Sequence, residues 1–160
     1  MKLGLAIREL HRSENSLAAD LLKLSDRHKA DHAIFYVARD IAGWSQEHVH
    51  ELTEIGRRYG VKLRDNPRDD SGRMAALRQR TSDLLSSRAE PGVLLLADLR
   101  RAHRKAAGVS LDWELLAQAA QGARKRELLG LAERCHPDTL RQMRWANAKA
   151  KESATQALVS

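Results

Sequence analysis

The side chains able to do chemistry are few, and the most telling are Glu14 and His48, because each sits where its helical pattern calls for an apolar residue. In the first segment Leu3, Ile7, Leu10, Glu14, Leu17, Leu21, Leu24 and His28 recur alternately four and three apart, the spacing of a core seam. The second segment repeats the pattern through Ile34, Val37, Ile41, Trp44, His48, Leu52, Ile55 and Tyr59. A hairpin turn near Lys29 puts Glu14 fifteen residues behind it and Trp44 to His48 fifteen to nineteen ahead, so Glu14 and His48 share one level. An ionised carboxylate in a core is costly without a partner, and a hydrogen bond between these two side chains would satisfy both. Two readings follow. Completed by Glu51 and Glu127, the pair is a reduced carboxylate/His site for iron or manganese; left alone, it is a structural polar network, which is the simpler account.

Other candidates have weaker geometry. Glu127 and Arg144 stand eight or nine residues either side of a turn expected near Cys135 and His136, which predicts a salt bridge and places a cation where a metal would be repelled. His28 and His32 are four apart, but they straddle the first turn and so do not share a face. Cys135-His136 would be nucleophile and base only with a third orienting group and a pocket. Next to Pro137 the cysteine reads as structural. No dinucleotide, Walker, nucleophile-elbow or His-Glu-x-x-His pattern occurs, so no cofactor is expected beyond the iron or manganese of the weaker reading.

The positive charge is also localised. The chain has 160 residues and a formal charge of +7. Residues 1–60 hold nine basic and nine acidic residues, whereas 61–110 hold eleven against six. Arg100, Arg101, Arg104 and Lys105 face away from an apolar stripe of Leu95, Leu99, Ala102 and Ala106, a candidate surface for phosphates. Arg124-Lys125-Arg126 is a second cluster. None of the six aromatic residues lies in the basic segment, which leaves base stacking without support.

These residues need positioning, and the composition supplies helices to do it. Hydrophobic residues make up 42%, mostly Ala and Leu, while aromatics reach only 4%, so the stock for strands is small. The predicted helices run over 3–28, 31–59, 73–87, 93–107, 111–134 and 138–158 in one domain. Asp31 reads as an N-cap, Gly60 and Gly108 as helix ends, Ser110 as a cap, and Pro137 as a first-turn proline. The last seam is expected at Leu140, Met143, Asn147, Ala150, Ala154 and Ala157. A single cysteine excludes an internal disulfide, and the aliphatic runs are too short for a signal peptide or a membrane span. A soluble, cytoplasmic protein is expected.

Two long hairpins joined by a long crossover, with a carboxylate midway along the first seam, resemble the ferritin-like four-helix bundles, including the rubrerythrin-like branch. The resemblance covers Leu3 to Tyr59 and Ser110 to Leu158. It implies an all-α up-down bundle with one or two extra helices, and a di-iron site in which Glu14 is the first glutamate and Glu127 that of the third bundle helix. Where further ligands would fall the chain has Ser45, Arg144 and Asn147, and the Glu47-His48-Val49-His50 stretch puts its second histidine off the seam. The implied site is therefore degenerate. The leading expectation is a non-enzymatic bundle acting through self-association, as a homodimer, or through another protein. The alternatives are an iron-handling or stress-protection protein using Glu14, His48, Glu51 and Glu127, and a nucleic-acid or polyanion binder using the basic helix face.

Overall fold

The computed structural model describes residues 2–65 and 90–160. The expected helix at 73–87 lies outside the described residues. Among those described, the chain forms four α-helices and no strand: α1 (Leu3–Arg27), α2 (His32–Gly56), α3 (Pro91–Gly122) and α4 (Arg126–Val159), with a 3₁₀ turn at Arg57–Tyr59 extending α2. The all-α helical bundle stands.

The first hairpin follows its sequence signals closely. Every α1 seam residue from Leu3 to Leu24 is buried, including Glu14. The helix ends where the His28 backbone N–H donates to the Leu24 and Ser25 carbonyls. Asp31 then caps α2, its carboxylate accepting from the Ile34 N–H at 3.1 Å. Gly60 closes the 3₁₀ turn at φ 72°, where any side chain would be strained. The chain next packs Val61 over Gly4, and a Cβ on Gly4 would lie 2.7 Å from a Val61 methyl carbon, so only glycine admits this approach.

The second half departs from the expected boundaries. Gly108 ends no helix, and Ser110 caps none: α3 runs unbroken for 32 residues, joining the expected helix at 93–107 to the first part of the one expected at 111–134, whose remainder from Arg126 belongs to α4 together with the helix expected at 138–158. Energies explain why. A glycine inside a helix costs about 1 kcal/mol relative to alanine. Continuing the helix keeps Val109, Trp113, Leu116 and Ala120 in register with Leu99, Ala102 and Ala106, all buried, and each fully buried large apolar side chain contributes roughly 1.5–3 kcal/mol.

The turn accordingly lies at Ala123–Lys125 and not near Cys135. There Arg124 adopts φ 56° and the Lys125 N–H donates to the Ala120 carbonyl at 2.8 Å. Pro137 is inside α4, beyond its first turn. It removes one backbone donor to the Glu133 carbonyl, and both residues are exposed, so water can meet that carbonyl. The α4 seam is Leu128, Leu131, Ala132, Cys135, Thr139, Gln142 and Ala146, one position away from the expected one, and Asn147 is exposed. Residues upstream of Pro137, in the same helix, set that register.

Cross-helix bonds fix the topology. Ser25 donates to the Phe35 carbonyl and His48 meets Glu14, so α1 and α2 are antiparallel. Ser110 meets His136, making α3 and α4 antiparallel as well. Ser13 donates to Asp112 while Arg27 reaches Asp98, so α3 also runs against α1. His48 meets Asp138 while Tyr59 reaches Glu127, so α4 runs against α2. Helices α2 and α3 are thus parallel, and α2 finishes at the end of the bundle opposite to where α3 starts. One apolar core receives residues from all four helices.

Candidate functional site

Midway along the bundle every helix contributes a polar side chain to one layer, buried in α1, α2 and α3 and partly exposed at Asp138 of α4. Glu14 of α1, fully buried, accepts at Oε1 from two donors, His48 Nδ1 at 2.9 Å and Trp113 Nε1 at 2.8 Å. The other imidazole nitrogen, Nε2, lies 3.1 Å from Asp138 Oδ2 of α4. Trp113 stands edge-on to His48, with ring centroids 5.8 Å apart at 86°. One turn away, Gln142 donates to Ser45 Oγ at 2.9 Å and to the Ile41 carbonyl at 2.8 Å, tying α4 to α2. Glu14 Oε2, Thr139 Oγ1 and Gln142 Oε1 are buried without a hydrogen-bond partner.

The electrostatics of this layer favour a held proton. Burial alone would depress the His48 pKa, but hydrogen bonds to Cys135 and Glu14 and the charge on Glu14 outweigh it and push the value up to about 11. His48 is therefore an imidazolium between two carboxylates at neutral pH, with no lone pair for a metal or for general-base work. Burial pushes the Cys135 thiol up, so beside that imidazolium it stays protonated. The weaker alternative for Cys135, a nucleophile-and-base pairing with His136, does not form: both residues lie within α4, Cys135 facing His48 and His136 facing Ser110 at 2.8 Å.

The structure joins only half of the expected metal set. Glu14 and His48 meet as the hairpin arithmetic predicts. Glu51 points outward, half-exposed, and accepts from Arg134 at 2.9 Å. Glu127 accepts from the Tyr59 hydroxyl at 2.6 Å on the surface, a bond that holds its carboxyl below the usual range and lifts the Tyr59 phenol, which burial also raises, to about 12. The expected Glu127–Arg144 bridge does not form, because both residues belong to one helix; Arg144 is exposed. Among the described residues no cluster of three or more His, Cys, Asp or Glu side chains is placed to hold a metal. The donor set does not fit a di-iron centre.

Three contributors escaped sequence reasoning: Trp113, Asp138 and Asp98. Trp113 is a lone aromatic in an Ala/Leu-rich helix, and Asp138 follows Cys135 by three residues; both were hidden by the misplaced turn. Asp98 is a buried carboxylate that takes Arg27 at 3.0 Å and His28 at 2.9 Å, pinning the start of α3 to the end of α1. His11 makes a smaller tie, its Nε2 lying 2.8 Å from the Arg64 carbonyl; burial lowers its pKa, so it serves as a neutral ring.

Of the four expected basic-face residues, Arg100, Arg101 and Arg104 are exposed around an open hollow beside Ala97. Lys105 is turned back toward α1, 3.5 Å from Asp20 and against the Ser16 hydroxyl. The same outer side of α3 exposes Leu111 and Leu115 by 54% and 58%, a large apolar exposure for two residues four apart. Among the described residues no helix is long and apolar enough to cross a membrane. Compared with protein-family models, with curated proteins and with solved structures, the chain matches none.

Proposed function

We propose that the protein is a non-catalytic interaction module: a ferritin-like bundle whose metal position has been taken over by an internal ion network, and which acts by docking a protein partner on the outer face of α3. The observation that carries this reading is the state of His48, which presents both ring nitrogens to carboxylates. A layer built this way holds four helices in register and leaves neither ring nitrogen of His48 free as a base or a ligand. Among the described residues, the outer face of α3 is where two large apolar side chains, Leu111 and Leu115, stand exposed one turn apart beside a cluster of arginines. A single cysteine kept as a thiol suits a reducing, cytoplasmic setting.

Two measurements test it. Purified protein reconstituted with iron and with manganese is expected to retain the same small metal content as its Glu14→Ala variant. Near-stoichiometric binding abolished by Glu14→Ala would overturn the reading. A photo-cross-linking residue at Leu115, introduced in the native host, is expected to capture a discrete protein or a second copy, while one at the exposed Glu47 of α2 captures neither. No adduct from Leu115, or equal adducts from both positions, would overturn the docking face.

A further inference from the structure

An α-helix turns 100° per residue, so Arg100, Arg101, Arg104, Gly108, Leu111 and Leu115 share the side of α3 opposite the buried Leu99, Val109 and Trp113. All six are exposed. This stripe carries no carboxylate, and the reason lies in where the acids of α3 are directed. Asp98 takes Arg27 and His28. Asp112 accepts from Ser13 of α1 at 2.7 Å. Glu114 faces His136 of α4 at 3.6 Å. Each acid is drawn to a neighbouring helix, and the outer side keeps only cations and apolar groups.

At several other places on the surface charge is answered locally. Arg12 meets Glu9, Arg39 meets Asp26, Arg57 meets Glu54, Arg141 meets Asp138 and Lys149 meets Glu152. Arg100, Arg101 and Arg104 make no hydrogen bond or ion pair among the described residues. Arg8, Arg124, Arg126 and Arg144 are exposed without a partner among those residues too; what sets the α3 arginines apart is that three stand together on one helix face beside exposed leucines. Below them Gly108 offers open space, since a Cβ built there meets nothing within 4 Å, and Leu111 and Leu115 continue the line. The stripe thus has a cationic end, a notch in the middle and an apolar end.

We infer that this face binds an amphipathic α-helix of another protein, with Asp or Glu side chains over the three arginines and apolar side chains over Leu111 and Leu115. The inference rests on the interaction reading above and names the chemistry of the partner. A second copy docked stripe to stripe fits worse: its own α3 face brings three more arginines and no carboxylate, leaving six guanidinium groups unanswered across the contact. A nucleic acid answers the arginines but gives Leu111 and Leu115 nothing, and the face has no aromatic side chain for a base to stack on. Two leucines are too little apolar surface to hold a bilayer. An acidic helix answers both ends, the apolar contacts supplying adhesion and the charges supplying orientation and rate.

The test uses the full chain and a synthetic, labelled helical peptide of about 20 residues, enough to span the stripe. It carries Glu along one half and Leu at seam positions along the other, and binding is followed by fluorescence anisotropy at low salt. Saturable binding is expected, weakened about tenfold or more by the triple change Arg100→Glu, Arg101→Glu, Arg104→Glu, and by Leu111→Ser with Leu115→Ser. Both variants should keep wild-type circular dichroism and melting. A peptide with Lys in place of Glu should bind the triple variant better than the wild type.

The inference fails if the acidic peptide does not bind, or if the leucine changes leave its binding intact, which would indicate simple polyanion attraction. Equal or tighter binding of a DNA duplex or of phosphatidylserine vesicles would also overturn it. Cross-linking from Leu115 to a second copy or to a basic partner would overturn the acidic helix while leaving the interaction module standing.

Discussion

At the middle of the bundle Glu14 reaches His48 and Trp113 within 2.9 Å and His48 goes on to Asp138, whereas on the outer face of α3 Arg100, Arg101 and Arg104 reach no carboxylate among the described residues. Both regions set charge among apolar residues. In the core, where the effective dielectric is low, an unpaired charge is expensive, so the His48 imidazolium there has carboxylates on both nitrogens. On the surface water meets a guanidinium cheaply, so its lack of a partner costs little stability. The two regions therefore separate two properties, and changes to each should move one without the other.

The largest effect should come from the core. Glu14→Ala leaves the Trp113 N–H without its acceptor and takes from the His48 imidazolium its buried carboxylate, leaving only the partly exposed Asp138, and removing one partner of a buried ion pair typically costs about 3–5 kcal/mol. Urea unfolding should show that loss, and Glu14→Gln, which keeps an acceptor oxygen, should lose less. The triple reversal of Arg100, Arg101 and Arg104 should move stability by no more than about 0.5 kcal/mol. A comparable loss in both would erase the distinction between the two regions.

The same layer predicts a pH dependence. The folded pKa of His48 lies near 11, above its ordinary 6.5, so its stabilisation is complete below pH 6.5 and is lost as pH rises toward 11. Over that window the unfolded chain releases a proton that the native state keeps, and stability should fall by at most about 1.4 kcal/mol per pH unit. Unfolding measured from about pH 6.5 to 7.5, below the ordinary range of the Cys135 thiol, should show the decline in wild type and a flatter profile in His48→Gln. A flat wild-type profile would mean that His48 is not held as a cation.

How much of this was legible depended on where the turns lie. In the first hairpin, Asp31 and the regular seam spacing on either side marked the turn, and counting from it brought Glu14 and His48 together. In the second, Gly108, Ser110 and Pro137 are local signals of helix ends, and each was overridden by apolar burial that continues past it. That displaced the turn by about a dozen residues, separated Glu127 from Arg144, and hid Trp113 and Asp138. No local pattern could show that Glu51 would find Arg134 or that Lys105 would turn back to Asp20. Such choices are made by the packing of whole helices, which sets side-chain neighbours over distances no short motif encodes.

A moderate effect should appear where α3 is joined to α1. Asp98→Asn keeps the shape but removes the charge that Arg27 and His28 share, and hydrogen bonds to charged groups contribute about 1.5–3 kcal/mol each before compensation. A loss of about 1–2 kcal/mol is expected in thermal unfolding, less than for Glu14→Ala because Arg27 is 12% exposed and water can reach it. A loss as large as that of Glu14→Ala would place the centre of stability at the end of the bundle and not in its middle.

The smallest change sharpens the contrast most, because it should move the two properties in opposite directions. Gly108 lies inside α3, exposed, and a Cβ added there would meet nothing within 4 Å, so Gly108→Ala adds a methyl group to open space and removes backbone freedom from the unfolded chain. The expected gain is about 0.5–1 kcal/mol, read as a raised melting temperature. If α3 instead broke at Gly108, with the residue needed at positive φ, alanine would destabilise. Gly108→Leu keeps most of the helical gain but fills the notch between Arg104 and Leu111. It should hold stability near wild type while weakening the acidic helical peptide. A variant as stable as the parent that has lost binding assigns the core to stability and the outer face of α3 to recognition.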